Sequence, residues 1–307
     1  MHIMFKRKSL ALPELLRAFE SDLRQSDAAD RTVASYLSDL RLFAAWLEGV
    51  IPGAAEDLDA FTLQRYRSHL DHTEKRATST TNRKLQAIRR FCAWAYKTGE
   101  MLSNPALDVK LKPQPRIFQP RSLATPDIHK VLTIAGRGSH GPRNYALVQL
   151  MLQTGLRVGE VERLVVDDIA IHDRSGHVRV RDGKGRKERT VPLNASVRKA
   201  LTAWLQERSL TVPQEPSVFV TTTGKGLKKR ALQKVISELM TTAGCSASAH
   251  TLRHTFATRH YQDHGKLVEL SGLLGHESLN TTARYTQPTH DDLARQLEKS
   301  SLNEFGD

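Results

Sequence analysis

A tyrosine near the carboxyl end of this 307-residue chain could act as a nucleophile. Tyr285 ends the run NTTARY, in which Asn280 or Thr281 could cap a short helix. With the ordinary phenol pKa of about 10, tyrosine is a poor nucleophile, and a single tyrosine in such a place more often packs. It becomes competent where positive groups favour the phenolate and hold a phosphate. The interpretation of Tyr285 therefore depends on the other reactive residues.

Two arginines stand in motifs suited to holding an anion. Arg157 follows a glycine turn, and Glu160, three residues on, shares its helical face and can hold it. Arg253 follows His250 by three residues, which places a general acid or base beside a second guanidinium. A guanidinium suits a pair of non-bridging phosphate oxygens because its fork is planar and permanently charged. Taken alone, the Arg157–Glu160 motif is also explained as an ordinary surface ion pair.

The histidines admit a second interpretation. His250 and His254 have the i,i+4 spacing of a metal pair, but the glutamate of a metalloprotease helix is missing between them. His254 is equally well explained as a structural histidine. His276 follows a Leu-Leu-Gly turn and precedes the Tyr285 segment. We expect no metal site.

The charge balance favours a polyanionic partner. The chain has 46 Lys+Arg against 33 Asp+Glu, a net charge of +13. The basic residues form three runs, within 75–90, 181–189 and 225–234. Each run could be a solvated face, but three on one chain favour a surface that tracks DNA phosphates. Within the first run we expect a subset of Arg83, Lys84, Arg89 and Arg90 to contact DNA, with Arg83 and Lys84 favoured.

The remaining composition suggests an ordinary protein of a reducing compartment. The two cysteines, Cys92 and Cys245, fit neither a disulfide framework nor a zinc knuckle, and buried thiols are favoured. No run of 18 apolar residues predicts a membrane span, and no signal core follows the basic start. We expect a cytoplasmic protein with no membrane partner.

Hydrophobic periodicity predicts a mainly α protein of two domains. Residues 1–110 read as four helices, of which the third opens at Thr62 and the fourth is capped by Thr80 or Thr81. Prolines mark a linker over 111–124. Residues 125–307 read as an α+β domain whose alternating segments, on either side of the turn at 183–185, predict an antiparallel hairpin.

A short helix is expected at the end of the second domain. Thr289 and Asp292 have the spacing of a capping box, and Leu293 and Leu297 then share one face. So narrow an apolar stripe is marginal alone, so this helix should dock on its own domain or on another protomer.

Together these motifs resemble the tyrosine recombinase (phage integrase) family, most closely its Xer-type members. The resemblance covers nearly the whole chain. It includes TTNRKL at 80–85 and NPA at 104–106 in the first domain, and GKGRKER at 183–189 in the hairpin. The reactive residues occur in the family's order: Arg157, Lys184, His250, Arg253, His276 and Tyr285. Gln287, where a histidine is common, is a small departure that touches no reacting group.

The resemblance implies a four-helix, SAM-like core-binding domain joined to the tyrosine recombinase catalytic domain. Tyr285 would form a 3′-phosphotyrosine, while Arg157 and Arg253 hold the phosphate. Lys184 would protonate the leaving 5′-oxygen, and His250 would transfer the tyrosine proton. Two further residues would support the reaction: His276 would donate a hydrogen bond to the phosphate, and Glu160 would hold the site from behind.

The resemblance also implies the partners. Because the covalent bond stores the phosphodiester energy, neither cofactor nor metal is expected. The partner would be double-stranded DNA with inverted-repeat core sites, bound by a homotetramer on two sites that exchanges strands through a Holliday junction. Participation of a second recombinase or an accessory protein stays open. Two other functions also stay open: relaxation of DNA of the type IB topoisomerase kind, and a catalytically silent DNA-binding accessory role.

Overall fold

The chain forms two compact units, Met1–Ile117 and Phe118–Asp307, in a computed structural model. The structure describes residues 12–26, 30–50, 58–113, 122–181, 188–276 and 279–283. Lys184, Tyr285 and the segment from Thr289 onward, for which a helix is expected, lie outside the described residues.

The described part of the N-terminal unit is helical. Its helices are α1 (Leu12–Gln25), α2 (Asp30–Val50), α3 (Ala60–Ser68), which continues as a π-helical turn over His69–Thr73, and α4 (Thr78–Lys97). Their apolar faces meet in one core that includes Phe19, Leu40, Tyr66 and Phe91, each at most 2% exposed. Aromatic rings pack edge to face inside it, as in Phe19 against Phe91 at 5.6 Å.

Two helix starts differ from the sequence prediction. Helix α3 begins at Ala60 because Asp59 caps it, accepting a bond from the Thr62 backbone N–H at 2.7 Å. Helix α4 begins at Thr78, two or three residues before the predicted caps. The Thr81 hydroxyl instead donates to the Asp71 carboxylate at 3.3 Å, so it ties α4 to the preceding turn.

The chain leaving the N-terminal unit is fixed to that unit. The Asn82 side-chain amide exchanges two hydrogen bonds of 2.9 Å with the backbone of Lys112. The Lys112 ammonium lies 2.7 Å from the Asp71 carboxylate. Residues up to 112 therefore belong structurally to this unit, although the sequence placed the linker from 111.

The described part of the C-terminal unit combines helices with a small sheet. Its helices are α5 (Thr125–Ala135), α6 (Gly141–Thr154), α7 (Val158–Arg163), α8 (Ala195–Thr211), α9 (Lys229–Thr242), α10 (Ala249–His264), α11 (Leu267–Leu274) and α12 (Leu279–Thr282). The sheet is antiparallel in the order β1 (Ile169–Ile171), β2 (Gly176–Arg181) and β3 (Glu188–Pro192). The predicted hairpin is thus present, with β1 as a third strand.

The register of the hairpin decides which side chains turn inward. Val178 pairs with Val191, and Val180 pairs with Arg189. Opposed residues share a face, and all three valines are at most 2% exposed. Arg189 therefore lies on the buried face of the sheet.

Among the described residues, no helix is both long and apolar enough to cross a membrane. Both cysteines are free, and Cys92 lies in the N-terminal core, where burial raises the pKa of its thiol to about 12. Its thiolate is therefore strongly disfavoured.

Candidate active site

Arg157 is held at the start of α7 by Glu160. The Glu160 carboxylate accepts the Arg157 backbone N–H at 2.7 Å and the guanidinium Nη1 at 2.9 Å. The spacing predicted this ion pair, and the structure contains it. The Arg157 side chain is 45% exposed while Glu160 is buried, so a buried carboxylate orients an accessible guanidinium.

Gly155 brings Arg157 close to α10. It ends α6 with φ +65°, in the left-handed region, and a Cβ there would overlap the ring of Phe256. Its carbonyl accepts a hydrogen bond of 2.6 Å from Nη1 of Arg253. A glycine at this turn thus permits both the chain reversal and the contact with Arg253.

Arg253 is a buried cation, 2% exposed. Its Nη2 donates to the Leu274 carbonyl at 2.9 Å, and its Nη1 lies 3.9 Å from the Glu160 carboxylate. A buried charge is tolerated only with such acceptors and a nearby counter-charge. These contacts fix the guanidinium next to the Arg157–Glu160 pair.

His276 joins this cluster at the turn after α11. Its Nε2 lies 2.9 Å from Nη2 of Arg253, and its Nδ1 lies 2.7 Å from the Thr282 hydroxyl. Because a guanidinium only donates, Nε2 must be the acceptor and the ring proton sits on Nδ1. To donate to a phosphate through Nε2, His276 would have to give up this bond and carry a proton on Nε2.

His250 occupies a different position. It is exposed in the first turn of α10, where its ring meets that of His254 edge-on at 4.3 Å. Arg253, one turn further, points inward. The structure thus gathers Arg157, Glu160, Arg253 and His276 into one network, with His250 at the solvent-facing start of α10.

Arg189 belongs to the same network, although the sequence indicated it only as part of a basic run. Its two Nη atoms donate to the two oxygens of Glu160 at 3.0 and 2.9 Å. Burial by itself would raise the pKa of Glu160, but Arg189, followed by Arg157, holds it below its usual range. Glu160 is therefore an anion that accepts hydrogen bonds from two arginines, with Arg253 as a third cation 3.9 Å away.

The basic residues expected to meet DNA fall into two groups. Lys84 is 4% exposed on the core face of α4, whereas Arg83, whose side chain is 45% exposed, pairs with the buried Asp39 carboxylate. Arg89 and Arg90 are exposed. Helical geometry explains the difference, because Lys84 lies one turn before Ile88 on the buried face of α4.

The chain matches two family descriptions and several curated proteins. Residues 121–291 match the phage integrase family, and residues 16–99 match the phage integrase N-terminal SAM-like domain. Tyrosine recombinase XerC of Pelobacter propionicus is 32% identical over 295 residues, covering 94% of this chain and 95% of the relative. The XerC of Chromobacterium violaceum is 30% identical over 92% of this chain and 93% of its own.

Solved structures share the fold. A XerH site-specific recombinase bound to difH substrate matches with a TM-score of 0.70 at 24% identity, over 92% of this chain and 83% of that chain. A lambda integrase dimer bound to a COC′ core site matches with a TM-score of 0.69 at 17% identity, over 89% and 97%. The predicted fold class is confirmed. With both domains matched in order and close relatives along nearly its full length, this chain belongs to the phage integrase family of tyrosine recombinases, enzymes that cleave and rejoin DNA.

Proposed function

We propose that this protein is a site-specific recombinase in which Tyr285 attacks a DNA phosphate. The observation that carries the proposal is the network in which Glu160 and His276 hold Arg157 and Arg253 side by side, with Arg253 buried. Two fixed guanidiniums can bind non-bridging oxygens and stabilise charge that develops in the transition state.

The chemical step balances without a cofactor or a metal. The Tyr285 oxygen bonds to phosphorus, the bond from phosphorus to the 5′-oxygen breaks, and that oxygen takes a proton from Lys184. The phenolic proton passes to His250, which is exposed and therefore accessible to Tyr285 as it attacks the DNA phosphate. The product is a 3′-phosphotyrosine and a 5′-hydroxyl, and rejoining reverses the step.

In the same proposal, the partner is duplex DNA with inverted-repeat core sites. Four protomers on two sites exchange strands in pairs through a Holliday junction. Both solved relatives described above are bound to DNA substrates, a XerH to difH and lambda integrase to a core site. The decisive test incubates the protein with two differently labelled sites: recombinant products support the proposal, whereas relaxation of supercoiled DNA without exchange supports a topoisomerase, and binding without adduct supports an accessory protein.

Arg89 and Arg90 are expected to carry phosphate contacts of the N-terminal unit, in place of Lys84. Each phosphate that the protein neutralises in duplex DNA contributes about −0.9 to the slope of log K against log salt concentration. If one arginine meets a phosphate, its replacement by alanine should make the slope shallower by about one. Binding would be measured by gel shift at several salt concentrations.

Lys84→Met is the matched control, since it removes one positive charge from the same helix but from its buried face. It should leave the slope unchanged while lowering stability. A shallower slope for Lys84→Met, with normal slopes for both arginine variants, would contradict this assignment.

The carboxyl-terminal helix is expected to act in assembly. Deletion of residues 289–307 should lower recombination far more than it lowers binding of one protomer to a half-site, because the helix would pack on a neighbouring protomer. Gel shifts on single and paired half-sites, run beside a recombination assay, separate the two effects. If the truncated protein synapses and recombines like the full chain, the helix only covers its own domain.

A further inference from the structure

Arg189 contacts two parts of the site at once. Its Nη atoms bind both oxygens of Glu160, and its Nε donates to the Leu273 carbonyl at the end of α11 at 2.9 Å. Its side chain is 19% exposed. A bidentate bond to a carboxylate with a third bond at Nε uses the planar fork in a way that a lysine cannot reproduce.

The same guanidinium packs against the turn that carries His276. Gly275 has φ +62°, and a Cβ on it would lie 2.7 Å from Nη1 and 3.0 Å from Cζ of Arg189. The guanidinium therefore fills the space beside this turn. His276, the next residue, is the one that reaches Arg253 at 2.9 Å.

Glu160 passes the influence of Arg189 on to Arg157. Burial disfavours the Glu160 anion, and Arg189 provides the largest opposing contribution to its pKa. If Glu160 became protonated, Arg157 would lose its ion pair and keep only a weaker hydrogen bond to the neutral carboxyl and the bond of 3.5 Å to the Gly275 carbonyl. The orientation of the accessible guanidinium thus depends on the charge of Glu160.

We propose that Arg189 is a positioning residue for DNA cleavage: it fixes the Glu160 carboxylate behind Arg157 and holds the Leu273–Gly275 turn that presents His276. The inference rests on the proposed function. Arg189 acts through these residues and not on the substrate. Arg189 is the second residue of β3 and lies five residues after Lys184 in the sequence, so one side chain joins the base of this hairpin to the arginine pair.

The first test is the pH profile of cleavage. Single-turnover cleavage of a nicked suicide substrate, built on a site selected from random duplexes by binding, would be measured from acid to neutral pH. Arg189→Gln should slow cleavage by about a hundredfold, as small misplacements of a binding group do. Its acid limb should also move to higher pH, because Glu160 loses its main cation. Arg189→Lys should keep the limb nearer its original place and recover part of the rate.

The matched control is Arg179→Gln on the adjacent strand. Arg179 also donates to a buried carboxylate, that of Asp168 at 3.3 Å, so this variant removes the same charge from the same sheet. Its acid limb should not move. If Arg189→Gln lowers the rate equally at every pH and leaves the limb in place, Arg189 is only structural and the inference is overturned.

A second test needs no DNA. The Glu160 carboxyl would be titrated by carbon-13 NMR in the full chain, its signal assigned by loss in Glu160→Gln. The titration should move to higher pH in Arg189→Gln or, if that variant fails to fold, by a smaller amount in Arg189→Lys, while Arg179→Gln should leave it unchanged. If the Glu160 titration does not move in the Arg189 variants, the inference is overturned, even where the wild-type protein cleaves DNA normally. If the wild-type protein forms no covalent adduct, the proposed function alone is overturned.

Discussion

Tyr285→Phe is expected to abolish the covalent protein–DNA adduct while leaving site binding almost unchanged. The substitution removes one hydroxyl and keeps the ring, so packing and charge are preserved and only the attacking oxygen is lost. Incubation with a nicked suicide substrate, whose cleaved end escapes, should trap the wild-type protein as a shifted band on a denaturing gel.

The control for this prediction is Tyr261→Phe. Tyr261 lies in α10 and packs against the small apolar cluster of Ala257, Leu270 and Leu274. Its substitution by phenylalanine also removes one hydroxyl and keeps the ring. This variant should form the adduct at the wild-type level. A shifted band from Tyr285→Phe would assign the nucleophile to another residue. Loss of the band in Tyr261→Phe would show that the assay reports folding and not the attacking hydroxyl.

Local spacing was sufficient for the contacts that lie within one turn of helix. The Arg157–Glu160 pair follows from two residues three apart at a helix start, and the hairpin follows from alternation on either side of a glycine turn. The partners of Arg253 could not be derived in this way. Its acceptors, the carbonyls of Gly155 and Leu274, are 98 and 21 residues away in the chain and are supplied by the ends of two other helices.

Two residues show why charge has to be weighed together with the period of the element. Lys84 is four residues before Ile88 and seven before Phe91, so the helical period places it on their buried face. Arg189 is two residues before Val191, so the strand period places it on the inner face of the sheet. A cation in phase with apolar neighbours is a candidate for a buried ion pair, and at Arg189 that pair lies in the candidate site.

Lys184→Ala is expected to lose cleavage by about 10²–10⁴-fold on ordinary DNA, the usual contribution of a general acid. A substrate with sulfur at the 5′-bridging position of the scissile phosphate should largely restore the cleavage rate of this variant. A thiolate leaves without protonation, so the step assigned to Lys184 is no longer needed. The measurement is the single-turnover cleavage rate on the oxygen and sulfur substrates.

Arg157→Ala provides the comparison, because the non-bridging oxygens it would hold are present in both substrates. Its loss, about 10²–10³-fold for one donor to a developing charge, should persist with sulfur. Rescue of Lys184→Ala but not of Arg157→Ala therefore separates proton donation from charge stabilisation. If both variants fail equally on the sulfur substrate, Lys184 does not protonate the leaving oxygen. If sulfur restores the cleavage rates of both variants equally, Arg157 stabilises the leaving group and not the non-bridging oxygens. The separate roles proposed for the two residues would then be wrong.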